Sequence, residues 1–261
     1  QTAKGKFQGN AEERDGKLTK VDKTGDDPST ESYRYDRNSN IVEETVNGTT
    51  TTQRYDRNRL LSASSGGVTS TYNYDPLGRL DTVSTAGQTV EKHYYDGFDR
   101  TVRTRSGSGG SAVTTTYVFD PFDRTVSQTT SGTAGRTTAF TYLGLDGTLL
   151  RETVDGKTDK DYQYLAGGQR ATQIKHKDGG VKEYSQYVTS PRGDVEAITK
   201  DDGRTRSTYG YTAYGSDDTS QMTGEDKPGA EGEQKDDYNS FRFNSSRWDS
   251  APTRTKRGRP S

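Results

Sequence analysis

The chain has no cysteine, one methionine, one tryptophan and two histidines among its 261 residues. Without cysteine, a disulfide framework, a thiol nucleophile and a thiolate metal site are all excluded. Only 25% of the residues are hydrophobic, and no stretch approaches the roughly eighteen consecutive apolar residues of a membrane-spanning helix. These absences leave a protein whose fold cannot depend on cross-links, on thiolate-bound metal or on helices buried in lipid.

Low hydrophobicity alone is typical of disorder, but two features of the composition oppose that interpretation. The formal net charge is only −1, so the chain does not repel itself. The 17 tyrosines can each bury a large ring while the hydroxyl stays hydrated, and together with abundant Thr and Val they favour β-strands. The composition predicts a folded all-β protein built as thin sheet.

An aromatic-x-aromatic pattern, usually followed by Asp, recurs along the chain with a period near twenty residues. The second aromatics lie at intervals of 19 to 24 residues. They are Tyr35, Tyr55, Tyr74, Tyr95, Phe119, Tyr142, Tyr164 and Tyr187. A regular period of this length is typical of stacked repeats, in which each unit buries its face against its neighbours.

Each copy is predicted to form a β-hairpin, as the stretch YNYDPLGRLDTV illustrates. Tyr72 and Tyr74 share one face of a strand because side chains alternate. Asp75, Pro76 and Gly78 then occupy positions that a type I turn favours. The corresponding turn residues elsewhere are Asp36, Asp56, Asp96, Asp120 and Pro121. We expect the second aromatics to be structural rungs that point to one face and are more buried than the Thr residues between repeats.

The pattern Tyr-x-Tyr-Asp-x-x-Gly-Arg resembles the YD repeat of the RHS (rearrangement hot spot) family, which includes wall-associated bacterial proteins, toxin-complex C components and teneurins. The resemblance covers roughly residues 32–249. Two later stretches, SPRGDVEAITKDDGRTRSTYGYTAYG and FRFNSSRWDS, resemble the opening of the RHS-associated core. The resemblance implies tandem hairpins stacked into one curved antiparallel sheet, part of a hollow β-shell. The self-cleaving aspartates of some members lie in a part of the core that has no match here, so no catalytic residue is carried over.

These patterns predict four parts in the chain. Residues 1–31 are a repeat remnant and linker, 32–189 are the YD repeats, 190–250 begin the core, and 251–261 are a basic tail without a family match. Within the core, the acidic and aperiodic residues 216–237 are predicted to be a disordered surface loop. About 17 strands at about 4.8 Å each would form roughly half a turn of a shell, with unpaired edges that favour self-association.

Other motifs have simpler interpretations than chemistry. Arg192-Gly193-Asp194 falls where a repeat places its turn, so a turn is favoured over adhesion. The Gly/Ser run at 106–111 lacks the Lys-Ser/Thr of a phosphate-binding loop. His93 and His176 are predicted to be strand-surface histidines without catalytic partners. The carboxylates of Asp-rich turns could bind calcium, but solvated turns without metal are favoured. No metal, cofactor or catalytic residue is predicted.

The predicted function is a non-catalytic shell fragment of an exported polymorphic-toxin protein. We expect a secreted or cell-surface location, with the export signal outside this fragment because the chain starts at Gln1 without an apolar leader. The expected partners are the remaining repeats and core of the longer protein and a C-terminal toxin cargo, with no nucleic acid and no membrane span. The alternative is a cell-surface adhesion or carbohydrate-binding module whose tyrosine faces stack on the sugar rings of glycans.

Overall fold

The computed structural model describes residues 8–24, 28–132, 135–227 and 238–247, which form one antiparallel sheet of 20 strands. This confirms the predicted all-β class of stacked hairpins. The strands are β1 (Gln8–Arg14), β2 (Lys17–Thr24), β3 (Ser29–Tyr35), β4 (Ile41–Val46), β5 (Thr49–Asp56), β6 (Arg59–Ser65), β7 (Val68–Tyr74), β8 (Leu80–Thr85), β9 (Gln88–Tyr95), β10 (Thr101–Ser106), β11 (Val113–Phe119), β12 (Thr125–Thr130), β13 (Arg136–Tyr142), β14 (Leu149–Val154), β15 (Lys157–Tyr164), β16 (Arg170–His176), β17 (Lys182–Thr189), β18 (Val195–Thr199), β19 (Thr205–Thr208) and β20 (Thr223–Gly224). Four 3-10 turns lie at Gly109–Ser111, Asp178–Gly180, Thr219–Gln221 and Phe243–Ser245.

Every strand pairs with the strands before and after it in the chain, so the sheet is a continuous meander. No pairing joins β1 to β20 within the described residues, so the sheet is open in its backbone hydrogen bonds. Because each hairpin contacts mainly its neighbours, the architecture follows from the short period of the sequence.

The sheet has two edges at which successive strands are joined by turns, and these two edges carry different types of turn. Along one edge lie the aromatic-Asp turns, in which the amide N–H of Gly78 donates to the carbonyl of Asp75 at 2.9 Å and the strand register shifts at Tyr74. Gly78 has φ +83°, the left-handed conformation that closes a type I turn with a bulge. Along the other edge lie two-residue turns such as Asn47-Gly48, with φ +50° and +80°. This type I′ geometry matches the twist of the flanking strands.

Ala86 occupies the first position of one of these two-residue turns, with φ +49°. A left-handed conformation costs a residue with a Cβ roughly 1–2 kcal/mol, and Asn tolerates it best among residues other than Gly. We therefore expect Ala86→Asn to raise the free energy of unfolding by about 0.5–1 kcal/mol. Urea denaturation checks this, with Ala139→Asn on the exposed face of β13 as the control that should give no gain.

The chain after β19 folds back over one face of the sheet. We call residues 209–227 and 238–247 the C-terminal segment. It contributes Tyr209, Met222, Tyr238 and Phe241 to the hydrophobic core, each at most 5% exposed. The strands contribute the rest of this core, which consists of Phe140, Leu149, Tyr162, Val195 and Ile198. The core therefore lies under one half of the sheet, between β13 and β18 and the segment that covers them.

The same segment reaches strands near the beginning of the sheet. Lys23 in β2 donates from Nζ to the carbonyl of Tyr211 at 2.6 Å, while Tyr211 donates from its hydroxyl to the carbonyl of Val195 in β18 at 2.7 Å. Sixteen strand steps separate β2 from β18, and at about 4.8 Å each they would span roughly 77 Å of a flat sheet. The sheet therefore curls through nearly a full turn, and the predicted half turn is wrong because the C-terminal segment draws the ends together.

One further prediction about the organisation of the chain needs correction. Residues 216–237 were expected to form a disordered loop, but Asp218, Gln221 and Met222 are buried at 4%, 8% and 2% exposure. They are ordered because they pack between the two ends of the sheet, and residues 228–237 lie outside the described ranges. Residues 1–31, predicted to be a repeat remnant and linker, include β1, β2 and the start of β3, which continue the sheet. The basic tail at 251–261 also lies outside the described residues.

Candidate functional site

The aspartate of each well-formed repeat turn organises that turn. Asp75 accepts at Oδ1 from the amide N–H groups of Leu77 (3.0 Å) and Arg79 (2.9 Å), and at Oδ2 from Arg79 Nε (2.7 Å). Partial burial of the Asp75 carboxyl raises its pKa, but the hydrogen bonds and charge of Arg79 outweigh this and hold the pKa below its usual value. Asp96 and Asp120 make the same three contacts. These carboxylates are therefore committed to turn structure.

The arginine of each such turn also binds the next repeat. Arg79 donates from Nη1 to Asp99 at 2.7 Å, and its guanidinium lies 4.5 Å from the ring centroid of Tyr95. Arg100 repeats the pattern with Asp123 at 3.0 Å and with Phe119 at 5.1 Å. One side chain thus closes its own turn, pairs with the following turn and stacks on the following aromatic.

The second aromatics are half-buried and lie along the inner face, which is the face that the C-terminal segment covers. Five of their hydroxyls donate to the carbonyl at the start of the preceding return strand, whereas that of Tyr55 donates to Gln53 Oε1 at 2.6 Å. Tyr74 donates to Leu60 at 2.9 Å and Tyr95 to Leu80 at 2.7 Å. The same bond links Tyr35 to Leu18, Tyr142 to Thr125 and Tyr164 to Leu149. These rings therefore connect successive hairpins, while Thr49 and Thr50 at the start of β5 are exposed.

The series of tyrosine hydroxyl-to-carbonyl bonds between successive hairpins, which we call the hydroxyl ladder, leads to a pair of predictions. Tyr95→Phe removes one hydroxyl-carbonyl bond of 2.7 Å and is expected to lower the free energy of unfolding by about 1 kcal/mol. Phe119 occupies the same position without a hydroxyl, so Phe119→Tyr is expected to raise it by a similar amount through a bond to the carbonyl of Thr101. Chemical denaturation of both variants measures the two changes. Equal and negligible shifts in both directions would show that the ladder does not stabilise the sheet.

Several repeats depart from the predicted turn, including that at Tyr142, where Leu143 replaces the aspartate. The copy at Tyr55 has one residue fewer, so Asp56 ends β5 opposite Arg59 across the two-residue turn Arg57-Asn58, and it does not cap a turn. At Tyr164 a Leu replaces the aspartate, and the turn closes by backbone bonds alone. Pro76 and Pro121 lie at the second position of their turns and are exposed.

The repeat after β17 is offset from the sequence alignment. Thr189 pairs with Val195 across the bulge, as Tyr74 pairs with Leu80. Tyr187 therefore occupies the first aromatic position, because it lies two residues before Thr189. Ser190 takes the place of the aspartate, and its Oγ accepts from the amide N–H groups of Arg192 and Asp194 at 3.2 and 3.1 Å.

Two further turns of this kind were missed in the sequence, and both lie in the C-terminal segment. Thr212 N–H donates to Ser216 at 2.8 Å and Gly215 N–H to Thr212 at 3.0 Å, with Tyr211 at the second aromatic position. At the end of the described chain, Phe241 bridges Arg247, and Arg242 N–H donates to Ser246 at 3.0 Å. The sequence signal was a second aromatic followed by a residue in place of Asp. These pairs are Tyr211-Thr212 in YGYTAYG and Phe241-Arg242 in SFRFNSS.

The inner face is more polar than a typical protein core. Its buried strand residues include Lys23, Glu31, Gln53, His93, Thr104, Thr115, Gln128, Thr138, Glu152, Lys160, Gln173, Ser185 and Ser207. They lie two or four residues before the second aromatics, or on the neighbouring strands, so the positions before the second aromatic are the more buried ones. Polar groups at this depth need partners, and the C-terminal segment supplies several of them.

A polar cluster joins β3 to the C-terminal segment. Glu31, 1% exposed, forms an ion pair with Lys23 at 2.6 Å and accepts from the hydroxyl of Tyr33 at 2.5 Å. Its Oε2 also accepts from the amide N–H of Ala213 at 2.8 Å. Burial raises the pKa of Tyr33, and the hydrogen bond to the Glu31 carboxylate raises it further, so the phenol stays a donor. This cluster holds the two ends of the curled sheet together.

A second cluster anchors the segment on β14 and β15. Glu152, 3% exposed, accepts from the hydroxyl of Tyr162 at 2.8 Å and lies 3.9 Å from Lys160 Nζ and 3.4 Å from Arg247 Nε. Lys160 also donates to Ser240 Oγ at 2.8 Å. Burial raises the pKa of Glu152, but Lys160 and Arg247, with the hydrogen bonds of Tyr162 and Ser240, outweigh it and lower that pKa to about 2.

The residues of the remaining motifs make structural contacts. Asp194 of the Arg-Gly-Asp tripeptide accepts from Asn244 N–H at 2.8 Å and from Ser190 Oγ at 3.0 Å, so both carboxylate oxygens are used. His93 is 6% exposed and stacks on Tyr95, so its expected place on the strand surface is wrong. His176 Nε2 lies 2.8 Å from Asp161. The described ranges contain no group of three or more His, Asp and Glu side chains able to hold a metal ion.

The helical turns of the described chain are three residues each, and none is long and apolar enough to cross a membrane. No family model matches the chain, and no curated protein matches it in sequence.

Solved structures with a similar fold come from Tc toxin complexes. Two crystal structures, of TcdB2-TccC3 and of TcdB2-TccC3-TEV, share 12% and 13% identity with the chain and each give a TM-score of 0.45, covering 93% of this chain and 16% of the other. The Tc holotoxin pore of Photorhabdus luminescens gives 12% identity and a TM-score of 0.36, covering 90% and 18%. The chain spans less than a fifth of the length of these chains, and a likeness at this level does not assign it their activity or partners.

Proposed function

We propose that the chain is a non-catalytic wall segment of an exported YD-repeat toxin protein of the RHS type. One observation carries the proposal, which is the linkage of successive turns by the aspartate, arginine and aromatic of each repeat. Asp75, Arg79 and Tyr95 are all engaged in holding one hairpin to the next. The residues that define the repeat are therefore committed to holding the wall together.

The width of the curled sheet determines what this wall can enclose. A ring of roughly 77 Å circumference is about 25 Å across between opposite strands. A folded domain of about 100 residues has a radius of gyration near 13 Å and does not fit inside. Tyr211 of the C-terminal segment bridges β2 and β18 by hydrogen bonds to Lys23 and Val195. We propose that this part of the protein closes the wall, while the C-terminal toxin cargo lies in a wider part formed by the remaining repeats and core.

Protease protection tests the wall function. The chain is produced with the sequence that flanks it in its gene, and digestion of the C-terminal cargo is compared with and without Lys23→Met, which removes the ion pair to Glu31. The matched control is Lys20→Met on the same strand, whose side chain is 45% exposed. We expect protection in the wild type and the control and faster digestion in Lys23→Met. Cargo digested equally fast in all three proteins would refute an enclosing wall.

The non-catalytic part of the proposal has its own test. The purified chain is incubated with Mg²⁺, Mn²⁺ or Ca²⁺ and with nucleic acid or peptide substrates, and its own integrity is followed on a gel. We expect neither turnover nor a time-dependent cut at a unique bond. If the chain cleaves itself and the fraction cut per hour does not change when the protein is diluted, the cleavage is intramolecular. That result would show that the chain carries a catalytic group.

A glycan-binding role has less support in the geometry. The second aromatics face inward, and Tyr74, Tyr95 and Tyr142 use their hydroxyls on backbone carbonyls. Stacking on sugars needs an accessible ring face, and these rings are half-buried. Binding of the isolated chain to a glycan array would revive the adhesion alternative, because shell function predicts none.

A further inference from the structure

One edge of the curled sheet carries a row of exposed apolar side chains. Leu77, Phe98, Phe122 and Leu145 are 74%, 81%, 55% and 71% exposed. They lie at the tips of the turns that follow β7, β9, β11 and β13, so consecutive members are two strands, or about 10 Å, apart. We call these four side chains the apolar row.

The size of the apolar row is that of an interaction surface. A fully exposed Leu or Phe presents roughly 150–200 Å², so the four together present about 500 Å² of apolar area. This total is comparable to the largest apolar patch on a typical folded monomer, and such patches often serve as contact surfaces. Scattered exposed apolar residues elsewhere on the sheet need no such explanation.

The row is held rigidly, and the charges between its members are paired. Arg100 forms ion pairs with Asp96 at 2.7 Å and Asp123 at 3.0 Å, and its guanidinium lies 5.1 Å from the ring centroid of Phe98. Arg79 pairs in the same way with Asp75 and Asp99, both at 2.7 Å. A partner therefore meets fixed apolar tips separated by neutralised ion pairs, and it needs no complementary net charge.

We propose that two copies of this chain associate by packing their apolar rows against each other in opposite directions. The row has one constant period, so the tips of one copy fit between the tips of another copy under a two-fold rotation. The four side chains alone bring about 500 Å² per partner, or about 1,000 Å² in total, which is the lower bound for a specific interface. The proposal does not depend on the toxin-wall function.

The edge strands are less suited to self-association than the row. β1 carries Glu12, Glu13 and Arg14, with a register shift between the two glutamates. Charges and bulges are the devices by which natural edge strands avoid pairing. At the other end, β20 is only two residues long. The structure therefore favours association through the turns that carry the apolar row. The sequence instead predicts association through the two edge strands of the sheet.

Sedimentation velocity from about 1 to 100 μM tests the proposal. The row variant combines Phe98→Ser with Phe122→Ser. The control combines Val68→Ser with Val181→Ser, which remove side chains of 55% and 58% exposure beside turns at the opposite edge. We expect a concentration-dependent dimer in the wild type and the control, and at least about tenfold weaker association in the row variant.

Circular dichroism must first show that both variants melt as the wild type does. If Phe122→Ser perturbs folding, Leu77→Ser with Leu145→Ser replaces it, since neither leucine has a ring on which an arginine rests, as Arg124 rests on Phe122. A wild type that stays monomeric over the whole range would overturn the proposal and leave the row to another part of a longer protein. A row variant that dimerises as tightly as the wild type would also overturn it, because association would then use a different surface.

Discussion

Replacing Phe241 by alanine is expected to lower the free energy of unfolding by about 3–5 kcal/mol. Phe241 is 3% exposed, and its ring meets that of Tyr162 edge-on at a centroid distance of 5.1 Å. The guanidinium of Arg170 lies 3.1 Å from the same ring centroid. Truncation leaves a cavity under the C-terminal segment and removes the aromatic surface on which this cation rests. The midpoint and slope of urea denaturation measure the loss.

Tyr184→Ala is the matched control, because Tyr184 is 47% exposed on the outer face of β17. Its cost should stay below about 1 kcal/mol. Proteolysis adds a second measurement, since release of the C-terminal segment should accompany the loss in Phe241→Ala. Comparable costs for the two variants would mean that the C-terminal segment does not complete the core.

Glu152→Gln is expected to destabilise the protein by about 3–5 kcal/mol at pH 7, because it takes the carboxylate from a buried cluster of two cations. Lys160 is only 3% exposed and lies 3.9 Å from Glu152. An amide of the same size keeps the packing, so the loss reports charge and not volume. Glu13→Gln on the exposed strand β1 is the control that should change little.

The pH dependence of the same variant follows from the sign of the shift. The pKa of Glu152 is lowered from 4.5 to about 2 in the folded protein, so its contribution is complete above about pH 4.5 and is lost as pH falls through 2. A shift of this size corresponds to about 3 kcal/mol. The wild type should therefore lose stability between pH 5 and pH 2 more steeply than Glu152→Gln, as thermal unfolding at several pH values would show. Parallel curves would mean that Glu152 is not the group responsible.

The sequence predicts the repeat turns well because their contacts are local. Asp75 binds groups two and four residues ahead, and Arg79 binds a turn one repeat away. Both distances lie within the period that the sequence displays. Side-chain alternation likewise places the two aromatics of each copy on one face. The class of the fold and the position of most turns follow from these features alone.

The long-range contacts could not be predicted in this way. The bond from Lys23 to Tyr211 joins residues 188 positions apart, and neither residue stands out in its local pattern. The offset at Thr189 was hidden because Tyr187 supplies an aromatic at a plausible spacing. Substitution of Asp by Thr212 and Arg242 likewise concealed two turns, since their geometry rests on backbone bonds that many side chains permit.

The curl of the sheet has a consequence for how the number of repeats can change. Lys23 and Val195 meet Tyr211 from opposite sides, so the strands between β2 and β18 must reach around a fixed arc. Duplication or loss of one hairpin inside that arc would shift one end of the sheet by about 10 Å and separate Glu31 from Ala213. The same event before β1 would leave the arc unchanged. In a lineage that gains and loses repeats by recombination, the copies between β3 and β17 should be constant in number, and variation in length should accumulate outside them.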